Sequence, residues 1–122
     1  MQKLSLGAAL IVAMVTTAVA NATGYNTALS GTVIDVTQFG PSVGFVTGTV
    51  QFDMSPAPSP LCQNATHFTF STNTVSDAQT RLNWLAMLLE AKTTGETIEI
   101  GYDNTGASCD QGGIEVFWIE AL

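Results

Sequence analysis

A chain of 122 residues, 46% hydrophobic and 11% charged, can bury the core of one small domain but not of two. Three basic side chains against ten acidic ones leave a net charge of −7, a surface that phosphate backbones repel, so nucleic acid is not an expected partner. One histidine and two widely separated cysteines supply too few ligands for a zinc site, and no metal or cofactor is expected.

MQKLSLGAALIVAMVTTAVANA, residues 1–22, starts on the basic Lys3, continues through an apolar run from Leu6 to Val15 and ends on small residues. That layout predicts a secretory signal peptide, cleaved after Ala22 or, as the other choice, Ala20. The apolar run is shorter than the ~20 residues a membrane span needs. Residues 23–122 then form one exported domain, secreted or periplasmic, in which Arg81 and Lys92 alone face ten carboxylates, a net charge of −8. Its two cysteines, Cys62 and Cys109, predict a single disulfide in an oxidising compartment. Closing a loop of that size stabilises by roughly 4 kcal/mol through loop-closure entropy, a large share for a small domain.

The first two elements are ALSGTVIDVTQFG (28–40) and SVGFVTGTVQFDM (42–54), rich in β-branched and aromatic residues and joined near Gly40-Pro41. In the second, Val46, Val50, Phe52 and Met54 share one side while Thr47, Thr49 and Gln51 face the other, the alternation of a strand. SPAPSP (55–60) is a loop, because proline interrupts both ladders and helix interiors. Asn64-Ala65-Thr66 then fits a glycosylation acceptor. THFTFS (66–71) sends Phe68 and Phe70 inward, with His67 and Thr69 outward.

A helix follows in SDAQTRLNWLAMLLEAKTTG (76–95). Ser76 and Gln79 make a capping box, Asp77 suits the positive N-terminal end, Lys92 the last turn, and Gly95 the left-handed stop. ETIEIGY (96–102) places Ile98, Ile100 and Tyr102 on one side, DNTGASCDQGG (103–113) is rich in turn residues, and IEVFWIEAL (114–122) reads as the last strand. The fold class is therefore mainly β with one helix, in the order β-β-β-α-β-β. This is the order of the five-stranded Greek-key barrel, the OB-fold, assigned to residues 23–122; an open antiparallel sheet crossed by the helix fits the same string.

The helix is apolar on two sides. Ala78, Leu82, Leu85, Ala86 and Leu89 form one stripe, expected to cap the barrel, and Trp84, Met87, Leu88 and Ala91 cluster nearly opposite. Three accounts of the second cluster compete: a tryptophan folded over the protein's own surface, a ligand groove, or burial against another copy of the chain. The last is preferred, since contiguous apolar surface marks interaction sites and symmetric homo-oligomers are the common outcome. Trp84, Met87, Leu88 and Ala91 are thus the expected oligomer interface.

The export signal, the strand order, a cysteine shortly before strand three (Cys62) and the helix end LLEAKTTGETIEI together resemble the B subunits of AB5 toxins. Within that group the chain resembles the subtilase cytotoxin B-subunit type and its small secreted relatives. The likeness is sharpest at A-x-x-T-G-x-x-I-x-I, residues 91–100. The resemblance implies an OB-fold, a homopentameric ring with helices lining the pore, cell-surface glycans as ligands and a catalytic A subunit as partner. It also implies that Ser30, in LSGTVIDV, sits where that family's sialoglycan pocket uses a serine. Gly31 and Thr32 stand where acidic residues would follow, and Val46 occupies the family's strand-two cysteine position.

Nothing in the chain predicts catalysis. His67 is the only imidazole, on a strand and without a nucleophile motif beside it. Glu96 with Glu99, and Asp103 with Asp110, are carboxylate pairs with no sign of a cleft between them. DNTGASCD lacks the terminal glutamate of a calcium loop. The expected function is a non-enzymatic, secreted, glycan-binding B-subunit-like protein. A periplasmic protein-binding or inhibitory module and a small hydrolase are the alternatives from other classes.

Overall fold

The computed structural model describes residues 24–40 and 44–122; the expected signal peptide (1–22) and Pro41 of the first turn lie outside the described residues. Among the described residues, seven strands and one helix follow in order: β1 Thr27–Gln38, β2 Val50–Ser55, β3 Phe68–Phe70, α1 Ala78–Thr94, β4 Ile98–Tyr102, β5 Cys109–Asp110, β6 Gly113–Glu115 and β7 Trp118–Ala121. They form a mainly β architecture, a curled half-barrel sheet in the order β5-β6-β3-β2-β1-β4-β7. All pairings are antiparallel except that of β3 with β6.

Five strands become seven for two local reasons. The turn-rich segment 103–113 contributes the two-residue β5, which pairs with β6. The expected last strand also divides at Val116-Phe117. Val116 N–H donates to the Thr69 carbonyl at 3.4 Å, whereas Phe117 N–H donates to that of Gly101 at 2.9 Å. Consecutive amides thus serve opposite edges of the curl, β3 on one side and β4 on the other.

The alternation read from sequence sets the core. Val50, Phe52 and Met54 from β2, Phe68 and Phe70 from β3, and Ile98, Ile100 and Tyr102 from β4 all point into the concave face and are buried. Phe52 stacks on Phe68 at 5.5 Å, and Phe68 meets Tyr102 edge-on at 5.3 Å, contacts that aromatic quadrupoles favour. Thr69 is the exception to the outward expectation: it is buried as well, and its hydroxyl has no hydrogen-bond partner among the described residues.

The disulfide joins Cys62 to Cys109 across 47 residues, Cα atoms 5.9 Å apart, and fastens the segment after the proline-rich loop to β5. Beside it, Asp110 is buried but satisfied, accepting from Ser71 Oγ at 2.9 Å and Thr74 Oγ1 at 2.8 Å. These bonds tie β5 to the turn that leads into the helix.

Two expectations about α1 need correction. The N-cap is Asp77 rather than Ser76, its carboxylate accepting from Thr80 N–H at 2.9 Å, while Gly95 closes the helix as expected with φ of 76°. The face assignment is reversed. Leu88 and Ala91 are fully buried, with Trp84, Leu85 and Met87 packed part-buried on the same core. The stripe expected to cap the sheet lies outward: Leu82 and Leu89 are exposed at 58% and 47%, and Ala78 and Ala86 are exposed as well. Only Leu85 of that stripe touches the core. The reason is volume. Burying Trp84, Met87 and Leu88 removes more apolar surface from water than burying two leucines and two alanines, and the small Ala91 lets the helix approach the sheet. Trp84 meets Phe70 edge-on, ring centres 5.2 Å apart.

Candidate functional site

The reversed helix puts the expected oligomer interface against the chain's own sheet: Leu88 and Ala91 are buried within the protomer, and Trp84 and Met87 are packed part-buried on the same core. What α1 leaves in solvent is the Leu82–Leu89 face. Beside its N-terminal half lies a groove of about 230 Å³ lined by Gln38, Thr47, Val50, Arg81, Leu82 and Leu85 among others. That is below the ~300 Å³ at which ligand pockets usually begin. Its cation is engaged, because Arg81 Nη1 donates to the Val75 carbonyl at 2.7 Å.

Ser30 lies elsewhere, on the convex face of the sheet. In β1, Leu29, Gly31 and Val33 turn toward the core and Ala28, Ser30 and Thr32 turn away. The ladder sets Ser30 opposite Glu99 of β4, and Glu99 opposite Glu120 of β7. Ser30 Oγ donates to Glu99 Oε2 at 3.3 Å, so the hydroxyl and the carboxylate form one polar unit across two strands. Glu120, exposed at the end of the same row, extends it to the sheet edge.

One register step away the row is Ala28, Gly101 and Trp118. Gly101 is glycine for a physical reason: a Cβ there would collide with Nε1 and the five-membered ring of Trp118. The indole is therefore laid over bare backbone. Tyr25 stands nearly perpendicular to it, ring centres 5.8 Å apart and planes at 85°, and also leans on Phe117 at 6.4 Å. Tyr25 is 42% exposed and Trp118 half-buried, so the two rings make an aromatic corner open to solvent beside the Ser30–Glu99–Glu120 row.

The loop that holds this corner is well tied. Asn26 Nδ2 donates to Asp103 Oδ1 at 3.1 Å, and Asn26 Oδ1 accepts from Asn104 N–H at 3.0 Å. The Asp103 carboxyl is held below its ordinary value by the Thr105 backbone N–H and then its hydroxyl, against an opposing effect of burial, with Asn26 contributing least. Asp103 is thus an anchor for the segment that carries Tyr25.

The other sequence-level candidates do not converge. His67 precedes β3 and its ring sits beside Gly113, where a Cβ would strike it and Thr69 Oγ1. Asp103 bonds Asn26 and Thr105 while Asp110 bonds Ser71 and Thr74, so the two form no shared site. Glu96 precedes β4, outside the row that holds Glu99. Asn64 is exposed, with φ of 70°, in the turn closed by the Leu61–Ala65 bridge. Among the described residues, no group of three or more His, Cys, Asp or Glu side chains is placed to hold a metal ion.

Trp118, Tyr25 and Glu120 were missed at the sequence level. Alternation in IEIGY and WIEA already puts Glu99 with Gly101, and Trp118 with Glu120, on the face opposite Ile100 and Ile119. What it lacked was the β4–β7 register that joins the two pairs.

No known protein family, curated protein or solved structure matches this chain.

Proposed function

We propose that this chain is an exported, non-enzymatic glycan-binding protein built on a five-stranded Greek-key barrel of the OB type. The pairing pattern supports the barrel. If β6 and β7 are counted as one strand bent at Val116-Phe117, the sheet order becomes a ring in which β1 pairs β2, β2 pairs β3, β3 pairs the last strand in parallel, that strand pairs β4, and β4 returns to β1. Export is supported by the signal-like residues 1–22 and by the Cys62–Cys109 bridge, and no described helix is long and apolar enough to cross a membrane.

The observation that carries glycan binding is the aromatic corner of Trp118 and Tyr25 beside the Ser30–Glu99 pair. A sugar ring offers an apolar C–H face and a rim of hydroxyls, and this surface offers an aromatic plane and a row of acceptors. Aromatic side chains with a few placed polar groups are the usual makings of a small-ligand site. Ser30 does not act as a nucleophile in this reading, since its hydroxyl is bound to a carboxylate rather than to an imidazole. The pentameric ring implied by the resemblance is left out of this reading, because Leu88 and Ala91 of the helix face that would meet a second copy are buried in the protomer and Trp84 and Met87 are part-buried there.

The test is a glycan array probed with the mature chain and with Trp118→Ala. Binding at micromolar protein that the substitution abolishes is the expected result. An empty array removes the glycan reading and leaves the barrel standing. The exposed Leu82–Leu89 face beside the small groove would then favour a protein-binding or inhibitory module instead.

A further inference from the structure

We infer that the ligand of the Trp118 corner is a neutral pyranose, held with its hydroxyls on Glu99 and Glu120, and not a sialylated or otherwise anionic glycan. This rests on the glycan-binding reading and assigns the chemical class of its ligand. The resemblance drawn from sequence points the opposite way, toward sialic acid, so the two can be told apart.

The argument is electrostatic and geometric. A bound sialic acid brings a carboxylate that needs a cation or several N–H donors. Among the described residues the full cations are Arg81 and Lys92, both on α1, and Arg81 is committed to the Val75 carbonyl. The row beside the corner carries the reverse charge: Glu99 is half-buried, Glu120 exposed, and they face each other across the β4–β7 ladder. Two carboxylates here repel an anion. The same groups accept charge-assisted hydrogen bonds from neutral hydroxyls, which are stronger than bonds between uncharged partners.

The aromatic side fits the same ligand. The Trp118 indole lies on Gly101 with no side chain beneath it, and Tyr25 stands at 85° to it, so the corner has one ring as wall and one as floor. Ala28 and Gly101 keep the adjoining row low. A pyranose stacking its C–H face on a ring here turns its rim toward Glu99 and Ser30. Ser30 Oγ, bonded to Glu99 at 3.3 Å, orients that carboxylate before any sugar arrives.

Lactose, maltose and 3′-sialyllactose are suitable probes, titrated against the mature chain by intrinsic tryptophan fluorescence and saturation-transfer NMR. At least one neutral disaccharide should give a saturable signal, tenfold or more tighter than sialyllactose. Trp118→Ala should weaken it by at least tenfold, and Glu99→Gln by a smaller factor. Glu120→Arg alters an exposed position and keeps the fold even if the tryptophan variant does not; it should lower affinity for the neutral sugar and raise that for sialyllactose. Sialyllactose binding as tightly as lactose, or a neutral sugar bound equally by wild type and Glu120→Arg, overturns the neutral-ligand assignment while glycan binding survives. Absence of any glycan on a broad array overturns the parent reading instead.

Discussion

The two faces of α1 are made of similar residues and meet opposite fates. One carries Trp84, Met87, Leu88 and Ala91 and is packed on the core; the other carries Ala78, Leu82, Ala86 and Leu89 and is left in water. Hydrophobic count does not separate them. Shape does, because the concave sheet accepts a bulky indole against Phe70 and needs a small residue at Ala91 where helix and sheet come close. A helix that is apolar on both sides therefore carries no facing information of its own. The sheet chooses.

The sharpest way to break this comparison is Trp84→Glu. Were the indole an interface between copies, the substitution would yield a folded monomer. With Trp84 on the core it places a charge against Phe70 and should abolish the cooperative thermal transition. Leu82→Glu on the opposite face should leave that transition nearly unchanged, since Leu82 is 58% exposed. Sedimentation together with near-UV circular dichroism separates the two results, and a folded Trp84→Glu chain would refute the assignment of faces.

Removing the disulfide sharpens the comparison by acting on neither face. Cys62 and Cys109 close 47 residues of chain, and their joint replacement by serine should cost about 4 kcal/mol through loop-closure entropy, read as a lower urea midpoint. Within that weakened background Leu88→Ala should cost a further ~2–5 kcal/mol, because it opens a cavity at a fully buried site. Leu82→Ala should stay within about 0.5 kcal/mol. Equal losses from the two leucines would mean that both faces are covered, which would overturn the assignment of the Leu82–Leu89 face to solvent.

Much of the fold was legible for local reasons. Period-two alternation at Val50, Phe52, Met54 and at Ile98, Ile100, Tyr102 reports directly which side chains a sheet buries, and Gly95 marks a helix stop by a backbone conformation other residues resist. The break at Val116-Phe117 was not legible, because it comes from two strands, β3 and β4, competing for consecutive amides, and only the curl of the folded sheet brings both within reach. The candidate site was half legible. Ser30 could be placed on its strand, but Glu99, Glu120 and Trp118 join it only through pairings that span up to 69 residues of chain. The requirement for glycine at position 101 comes from the Trp118 indole lying against it, a contact that only the β4–β7 pairing creates.

A smaller test lies at the N-terminal end of α1, where both faces begin. The Asp77 carboxyl is held below its ordinary value of 3.8 by the Thr80 hydroxyl and then by the Thr80 backbone N–H, with burial opposing and the Arg81 charge adding least. A depressed carboxylate stabilises the fold above its unfolded value, and that stability is lost as pH falls through the lower folded value. Asp77→Asn keeps a capping oxygen but cannot titrate. Acid unfolding followed by far-UV circular dichroism should therefore be less steep below about pH 4 in the variant, with Asp103 supplying the acid sensitivity that remains. Because the cap serves the whole helix, the difference between Leu88 and Leu82 should not change with it.

The weakest expected effect comes from Glu115 in β6, paired with Thr69 of β3. Burial, and secondarily the Asp110 charge, push its carboxyl above the ordinary 4.5. A raised carboxylate has the opposite sign to Asp77: the folded state holds its proton more tightly, so stability falls as pH rises from 4.5 through the folded value and stays lower beyond it. Glu115→Gln should then raise the melting temperature slightly at pH 7 and have no effect below the unfolded value, where both side chains are neutral. Asp110 is satisfied by Ser71 and Thr74 whatever residue stands at position 115. The gain should therefore appear without any change in the Leu88–Leu82 contrast, and a melting temperature that rose equally at pH 4 and pH 7 would show that packing, not charge, was responsible.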